Sequence, residues 1–237
     1  METRRERLDQ VEWQKQQPDG EVLLSPPWEI FVLGISILSV FNLFLGWVLG
    51  DATTLQVVLV MDGLLTIVFV TDVVRRLIVA DDNRGYLLQG HGWIDVLSSV
   101  PLLRIFRLFR ILRVIRVMGR MGGLAGVVRS IFRDKAAGGL LLVLFIAILM
   151  LEFGSLAMLW AEGGAPDATI VNAEDAIWYI IVTMSTVGYG DMTPVTTAGR
   201  VIGVLIIVVG VGVFGTLTGF LANAFLATPS NGAEADE

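Results

Sequence analysis

The segment at residues 104–120 constrains this chain most, because it places arginine at every third position of an otherwise apolar run. It reads RIFRLFRILRVIRVMGR, with apolar residues at both positions between successive arginines. An amphipathic helix of a soluble protein instead alternates spacings of three and four. A strict spacing of three spirals around an α-helix but lines one face of a 3₁₀-helix. The arginines of this series are Arg104, Arg107, Arg110, Arg113 and Arg116.

The composition indicates that a lipid bilayer is the solvent for much of the chain. Of 237 residues, 54% are hydrophobic and 17% are charged, against about 45–50% and about 25% in soluble domains. Cysteine is absent and His91 is the single histidine. Disulfides and cysteine nucleophiles are therefore excluded, and histidine-based metal or acid–base chemistry is disfavoured. We expect neither an enzyme nor a cofactor.

Apolar windows predict six membrane crossings, since a helix needs roughly 20 residues to cross a bilayer. The third window is weak, and the second and third contain aspartates. Basic residues precede the first window and follow the second and fourth, whereas the loops after the first and fifth have none. By the positive-inside rule, the chain is a multi-pass protein of the cell membrane with both termini cytoplasmic. The windows are 28–49, 55–79, 86–101, 102–120, 138–160 and 200–227.

A short apolar element at residues 176–186 precedes the run TVGYGD and cannot span a bilayer. Non-helical backbone at membrane depth survives only inside protein or beside water, so a re-entrant element is predicted. An isolated Gly-Tyr-Gly could be an ordinary turn. This run, between a short helix and a full span, resembles the potassium-channel filter, in which four loops direct carbonyl oxygens at the ion. The glycines at 188 and 190 permit the backbone angles that this requires.

These motifs resemble the voltage-gated potassium channel family over nearly the whole chain. The resemblance implies a homotetramer that binds permeant K+ at rings of filter carbonyls, and no other cofactor. Trp178 matches the first of two pore-helix tryptophans, whose indole is expected to reach Asp191 behind the filter. Tyr179 replaces the second tryptophan, and Gly190 completes the filter support. The carbonyl rings are assigned to Thr186, Val187, Gly188 and Tyr189.

The arginine series needs partners inside the membrane. Five arginines and their apolar neighbours would be unfavourable by roughly 10 kcal/mol in bare lipid. The family resemblance supplies a charge-transfer site, with two acids ten residues apart in the second segment and an aromatic residue three before the inner acid. Phe69, Asp72 and Asp95 match that site, and Asp62 is the outer counter-charge. Moving one charge through 100 mV is worth about 2.3 kcal/mol, so the series is interpreted as gating charges.

The resemblance implies an all-α membrane fold: a four-helix voltage-sensor bundle, then a two-helix pore domain with a re-entrant pore helix and selectivity filter. Membrane lipids and the other subunits are the expected partners, and nucleic acid is not. The predicted divisions are an N-terminal tail (1–27), the sensor (28–120), a linker (121–137), the pore (138–227) and an acidic tail (228–237).

Several alternatives stay open on the sequence alone. Gly210 could be the gating hinge or could allow close helix packing, which is favoured for Gly212, Gly215 and Gly219. Only two residues separate Pro101 from the first arginine, so the sensor could be static, with opening driven by lipid, protons or tension. A non-conducting regulatory subunit is a further alternative, and a basic helix on a membrane surface or nucleic acid is disfavoured.

Overall fold

The computed structural model describes residues 25–48, 50–79 and 135–226, with isolated helical positions at 111, 114–115 and 118–119. The regular elements in these ranges are all helices, so the all-α prediction agrees with what is described. Two compact units, residues 1–138 and 139–237, divide the chain. Four helices are long and apolar enough to cross a membrane, and they coincide with the first, second, fifth and sixth predicted spans. The third and fourth predicted spans lie outside the described ranges, apart from those isolated positions.

The first unit contains two long helices, α1 (Pro26–Val48) and α2 (Ala52–Val79). The sequence Ser-Pro-Pro explains where α1 begins, because proline in the first turn forgoes an N–H that would be unbonded anyway. The carbonyl of Ser25 accepts hydrogen bonds from the amides of Trp28 and Glu29. The two helices are antiparallel: the start of α1 faces the end of α2, and Gly46 near the end of α1 lies beside Leu55 at the start of α2.

The second unit begins within a long helical span and contains two further helices. The span consists of α3 (Lys135–Leu149), a π-helical turn (Met150–Gly154) and α4 (Ser155–Glu162). It is followed by α5 (Ala173–Met184) and α6 (Thr197–Leu226). With 12 residues, α5 is about 18 Å long and too short to cross. It corresponds to the predicted re-entrant element.

A capping box fixes the start of α5. The side chain of Asn172 accepts from the amide of Asp175 at 2.9 Å, and the carboxylate of Asp175 accepts from the amide of Asn172 at 3.3 Å. These bonds satisfy donors that the first helical turn cannot pair internally. The helix is therefore anchored at its N-terminus, and its C-terminus points the chain into the TVGYGD loop.

Small residues let the helices of the second unit approach closely. A Cβ on Gly210 of α6 would lie 2.7 Å from the Cα of Met184 at the end of α5. On Gly154 it would lie 3.1 Å from the side chain of Ile180. This contact favours the packing alternative for Gly210, and α6 runs unbroken across it; the hinge stays a prediction. For Gly212, Gly215 and Gly219 no atom of the described chain lies within 4 Å of the corresponding Cβ position.

The cap of α2 yields a test of the fold. The Asp51 carboxylate accepts from the amide of Thr54 at 2.7 Å, and this hydrogen bonding lowers the pKa of Asp51 from its ordinary 3.8. Asp51→Ala should lower stability by about 1 kcal/mol. Because the folded pKa is depressed, the ionised cap contributes fully above pH 3.8 and its contribution is lost as pH falls through the lowered value. Melting temperatures of the detergent-solubilised protein from pH 3 to pH 7 would check this.

Asp51→Asn is the matched control, since asparagine caps about as well as aspartate but does not titrate. The variant should keep the stability seen at neutral pH and lose the pH-dependent part. Equal melting temperatures for the alanine variant and the native chain would contradict the capping role.

Candidate functional site: a pore loop and a buried charge cluster

The backbone after α5 adopts left-handed angles at alternate positions. The φ angles are 60° at Thr186, 58° at Gly188 and 77° at Gly190. The two glycines accept this without strain, as the sequence predicts. Thr186 is β-branched, so a positive φ is unfavourable there and persists only when its surroundings impose it. Nothing in the residue type signals this conformation in advance.

Hydrogen bonds to the pore helix orient the peptide groups of this loop. The carbonyl of Val182 accepts from the amides of Val187 at 3.2 Å and Gly188 at 3.3 Å. In a planar trans peptide, N–H and C=O point in opposite directions. The carbonyls of Thr186 and Val187 therefore point away from α5. They belong to the two innermost predicted rings.

Aromatic and acidic side chains support the loop from behind. The indole Nε1 of Trp178 donates to the carboxylate of Asp191 at 2.8 Å, the hydrogen bond expected from the sequence. The same indole stacks on the ring of Tyr189, with centroids 5.8 Å apart and planes 4° from parallel. One side chain of α5 thus contacts the loop both at Tyr189 and beyond it.

Tyr179 is directed elsewhere. Its side chain is buried, and a Cβ on Gly203 of α6 would lie 2.9 Å from its hydroxyl oxygen. Tyr179 occupies the position of the family's second tryptophan. Its hydroxyl thus packs α5 against α6 of the same chain. Gly203 is the residue that makes room for it.

Glu162 connects α4 to the start of α6. Its fully buried carboxylate accepts from the amides of Val195 at 2.9 Å and Thr196 at 3.0 Å, and from the Thr196 hydroxyl at 2.7 Å. A carboxylate at a helix N-terminus is favourable because the amides there carry partial positive charge. No side chain larger than a hydrogen fits at Gly199, which lies against this carboxylate. The segment that follows the filter is therefore tied to α4.

In the first unit, Asp72 lies at the centre of a buried cluster. One of its oxygens accepts from the indole of Trp28 at 2.6 Å, and the other accepts from Nε of Arg76 at 3.0 Å. Nη2 of Arg76 donates to both oxygens of Glu29, at 2.7 and 2.8 Å. Asp72, Arg76 and Glu29 are each no more than 2% exposed. Two carboxylates here share one guanidinium.

Sequence reasoning identified Asp72 but missed the other members of this cluster. Trp28 and Glu29 occupy the first turn of α1, where an interfacial position is the ordinary expectation for both. In the sequence, Arg76 contributes only to the positive-inside pattern. The signal that could have found them is the spacing of Asp72 and Arg76 by one helical turn, which places both on one face of α2.

The remaining predicted sensor residues are located only in part. Phe69 is fully buried and Asp62 is 4% exposed, both on α2. The five arginines and Asp95 lie outside the described residues. Among the described positions of the arginine-rich segment, Val114 and Met118 pack against Leu33 of α1.

Glu152 is a buried acid that the sequence analysis did not single out. It lies in the π-helical turn of a membrane-spanning helix and is fully buried. Short π-helical turns occur often at functional sites, and ionisable residues inside a membrane are costly and are usually functional. The run LMLEFG within an apolar window was the available signal.

Comparison with known proteins agrees with this architecture. The family model described as Ion transport protein matches residues 25–228. The chain belongs to the ion transport protein family, whose members are membrane channels rather than enzymes.

Its relatives are voltage-gated potassium channels, matched over part of their length. The Voltage-gated potassium channel of Aeropyrum pernix is 36% identical over 83 residues, covering 35% of this chain and 28% of that protein. Potassium voltage-gated channel protein shk-1 of Caenorhabditis elegans is 35% identical over 85 residues, 36% of this chain and 16% of that protein. Human Potassium voltage-gated channel subfamily A member 4 is 42% identical over 71 residues, 30% and 11%. The chain thus spans less than a third of each of these relatives.

The contact between Tyr179 and Gly203 is testable by a steric pair. Gly203→Ala should destabilise the protein by about 1–3 kcal/mol, since the added methyl meets the tyrosine hydroxyl. Tyr179→Phe removes that oxygen and should restore most of the loss in the double variant. Melting temperatures of the detergent-solubilised protein would measure both. A double variant no more stable than Gly203→Ala would show that the hydroxyl is not the obstacle.

The buried cluster predicts a strong dependence on Arg76. Arg76→Met removes the guanidinium that bridges two buried carboxylates and should cost about 3–5 kcal/mol. Adding Glu29→Gln removes one of those charges, so the double variant should recover part of the loss. Thermal unfolding in detergent would measure the series.

Arg75→Met is the matched control, because Arg75 neighbours Arg76 but is exposed, with its guanidinium 4.2 Å from the centre of the Trp28 ring. Its loss should cost well under half as much. Equal effects at positions 75 and 76 would contradict the importance of the buried cluster.

Proposed function

We propose that this protein is a potassium-selective ion channel whose opening is controlled by membrane voltage. The observation that carries the proposal is the orientation of the loop after α5. Its amides bond back to the pore helix, so the carbonyls of Thr186 and Val187 are free to face an axis. Rings of such carbonyls can replace the hydration shell of K+.

A homotetramer follows from this chemistry. One loop supplies a quarter of each carbonyl ring, so four copies must surround the axis. In the isolated chain, residues 186–190 are exposed, including 68% of the Tyr189 surface. An exposed tyrosine and valine in a loop at membrane depth need a protein partner, and other copies of the same loop are the partner that symmetry provides.

Voltage control is proposed from the first unit. Asp72 and Phe69 are fully buried in a helix long and apolar enough to span the membrane. A buried carboxylate and an aromatic side chain suit the passage of guanidinium groups from the arginine series of residues 104–116, with Asp95 as the proposed third member. Four charges moving in each of four subunits would yield roughly 37 kcal/mol per 100 mV, enough to drive a gate.

The proposed topology has six spans and two cytoplasmic termini. Residues 28–120 form the sensor and 138–227 the pore, joined by a linker at 121–137 and flanked by tails at 1–27 and 228–237. The arrangement of basic residues supports this orientation. Membrane lipids and the three other subunits are the proposed partners.

A static sensor is the second candidate, favoured by one observation. Both carboxylate oxygens of Asp72 already accept hydrogen bonds from side chains of α1 and α2. Arginines that pass this site must compete with Trp28 and Arg76. If they cannot, the first unit is a fixed scaffold, and the pore opens in response to lipid, protons or tension.

Recording from the purified full chain in planar bilayers tests the proposal. With unequal K+ and Na+ on the two sides, the reversal potential should lie near the potassium equilibrium value, and open probability should rise or fall steeply with voltage. A selective current that is indifferent to voltage would support the static sensor. Absence of current from the chain alone would support a regulatory subunit.

Asp72→Asn tests the sensor within the same recordings. The substitution removes the negative charge at the proposed transfer site and should shift the midpoint of activation by tens of millivolts while leaving K+ selectivity unchanged. Asp191→Asn is the contrasting variant, since it weakens the bond from Trp178 and should alter current through the open pore more than the midpoint. An unchanged midpoint in Asp72→Asn would overturn the sensor assignment.

A further inference from the structure

Arg75 is an exposed arginine near the end of α2 that the proposed mechanism does not use. Among the described residues it forms no ion pair, and the nearby carboxylates of Asp72 and Glu29 both bind Arg76. Its guanidinium group lies 4.2 Å from the centre of the Trp28 ring. This cation–π contact positions the group but supplies no oxygen acceptor, so the N–H donors of Arg75 are left for one.

The position of Arg75 along α2 corresponds to the headgroup region of a bilayer. Arg75 follows Ala52, the first residue of α2, by 23 residues. That is about 35 Å of helix, against a hydrocarbon core of about 30 Å. The exposed Asp51 caps the other end of the helix. Trp28 lies in the first turn of α1 beside Arg75, and tryptophan is enriched where membrane helices meet headgroups.

An apolar stripe on α2 runs from beside Arg75 toward the middle of the membrane. Its four members recur at helical spacing, and each is between 46% and 77% exposed: Ile67, Val70, Val74 and Ile78. Arg75 borders the stripe, since it directly follows Val74 and precedes Ile78 by three residues. The stripe covers about 16 Å of helix, roughly the depth of the hydrocarbon in one leaflet. Its length therefore suits one acyl chain.

We propose that Arg75, Trp28 and this apolar stripe bind a membrane phospholipid whose headgroup carries a net negative charge. The guanidinium group of Arg75 donates to two oxygens of the headgroup phosphate, a geometry that arginine matches and lysine does not. The indole of Trp28 holds the guanidinium group in place, and one acyl chain lies along the stripe. Binding of this lipid does not depend on the proposed conduction or on the proposed voltage sensing.

The charges around Arg75 favour an anionic headgroup over a zwitterionic one. A zwitterionic headgroup brings its own ammonium group, which needs a carboxylate partner. Glu29 and Asp72 are buried and engaged by Arg76, so among the described residues neither is placed to bind it. With Arg75 included, two carboxylates face two guanidinium groups at this end of the unit, so their charges cancel and do not repel an anion. Phosphatidylglycerol, with a negative phosphate and no cation, meets these requirements.

The test is the lipid-dependent thermal stability of the full chain, purified in a neutral detergent and titrated with dioctanoyl phosphatidylglycerol. A ligand that binds the folded protein raises its melting temperature, so each titration yields a dissociation constant. Arg75→Gln removes the charge and the bidentate donors, and its dissociation constant should be about tenfold higher than that of the native chain, as expected for a hydrogen bond to a charged group. Arg75→Lys keeps the charge but not the geometry and should give an intermediate value.

Arg200→Gln is the matched control, because it removes the same charge from an exposed position in the first turn of α6. That variant should bind the lipid as the native chain does. Dioctanoyl phosphatidylcholine should bind the native chain several-fold more weakly than phosphatidylglycerol, and inorganic phosphate at the same concentrations should not stabilise it.

Equal dissociation constants for the native chain and Arg75→Gln would overturn the site. Equal losses in Arg75→Gln and Arg200→Gln would do so too, since they would reflect net charge alone. Equal binding of phosphatidylcholine would overturn the choice of headgroup, and equal stabilisation by inorganic phosphate would overturn the role of the stripe. A changed elution volume of Arg75→Gln on size-exclusion chromatography, with unchanged lipid affinity, would assign this surface to a neighbouring subunit instead.

If Arg75→Gln does not fold, Arg75→Lys decides by whether its dissociation constant exceeds that of the native chain. The titration needs no current, so a chain that fails to conduct or to respond to voltage would refute the proposed function and leave the lipid site standing.

Discussion

The need to pair every polar group within hydrocarbon governs both units of this protein. In water an unpaired amide or charge finds solvent, but inside a bilayer each such group costs several kcal/mol. The Asp72 cluster meets this demand by sharing one guanidinium between two carboxylates and by using an indole as a further donor. A buried ion pair of this kind is weak evidence for added stability, because desolvation offsets the attraction. In the proposed sensor, the cluster would instead set the charge at the transfer site.

The pore loop meets the same demand with backbone rather than side chains. The amides of Val187 and Gly188 are both satisfied by the carbonyl of Val182, and the carbonyls in the same two peptide groups point the other way. Those oxygens would be intolerable in lipid, yet they are what a dehydrated cation requires. The left-handed angle at Thr186 lies between two amides that are bonded to α5, since Thr186 donates to the carbonyl of Thr183 and Val187 donates to that of Val182. The backbone strain therefore lies in the loop that we propose to bind K+.

The sequence predicted the parts of the fold that follow from local chemistry. Hydropathy located four spans that the structure describes, and glycine at 188 and 190 predicted the positive φ angles found there. The bond between Trp178 and Asp191 was also expected, from family resemblance. Prediction did not reach the contacts between distant segments, such as Glu29 with Arg76, because hydropathy and spacing carry no information on how α1 and α2 are aligned. The strained backbone of Thr186 and the orientation of Tyr179 were missed because both depend on how α5 packs against its neighbours, which the sequence pattern does not reveal.

Occupation of Asp72 by resident partners changes how a moving charge would be handled. A carboxylate with no other partner would bind an arriving arginine tightly and release it slowly. Here the indole of Trp28 and the Nε of Arg76 each donate to one oxygen, so in the proposed sensor an arriving guanidinium would exchange with existing hydrogen bonds. Such exchange would make binding of the arginine at each position less favourable. Weak binding of similar strength at each position is what the proposed movement of five equivalent charges requires. Glu29 would keep Arg76 paired during such an exchange, because both of its oxygens already accept from Nη2 of Arg76.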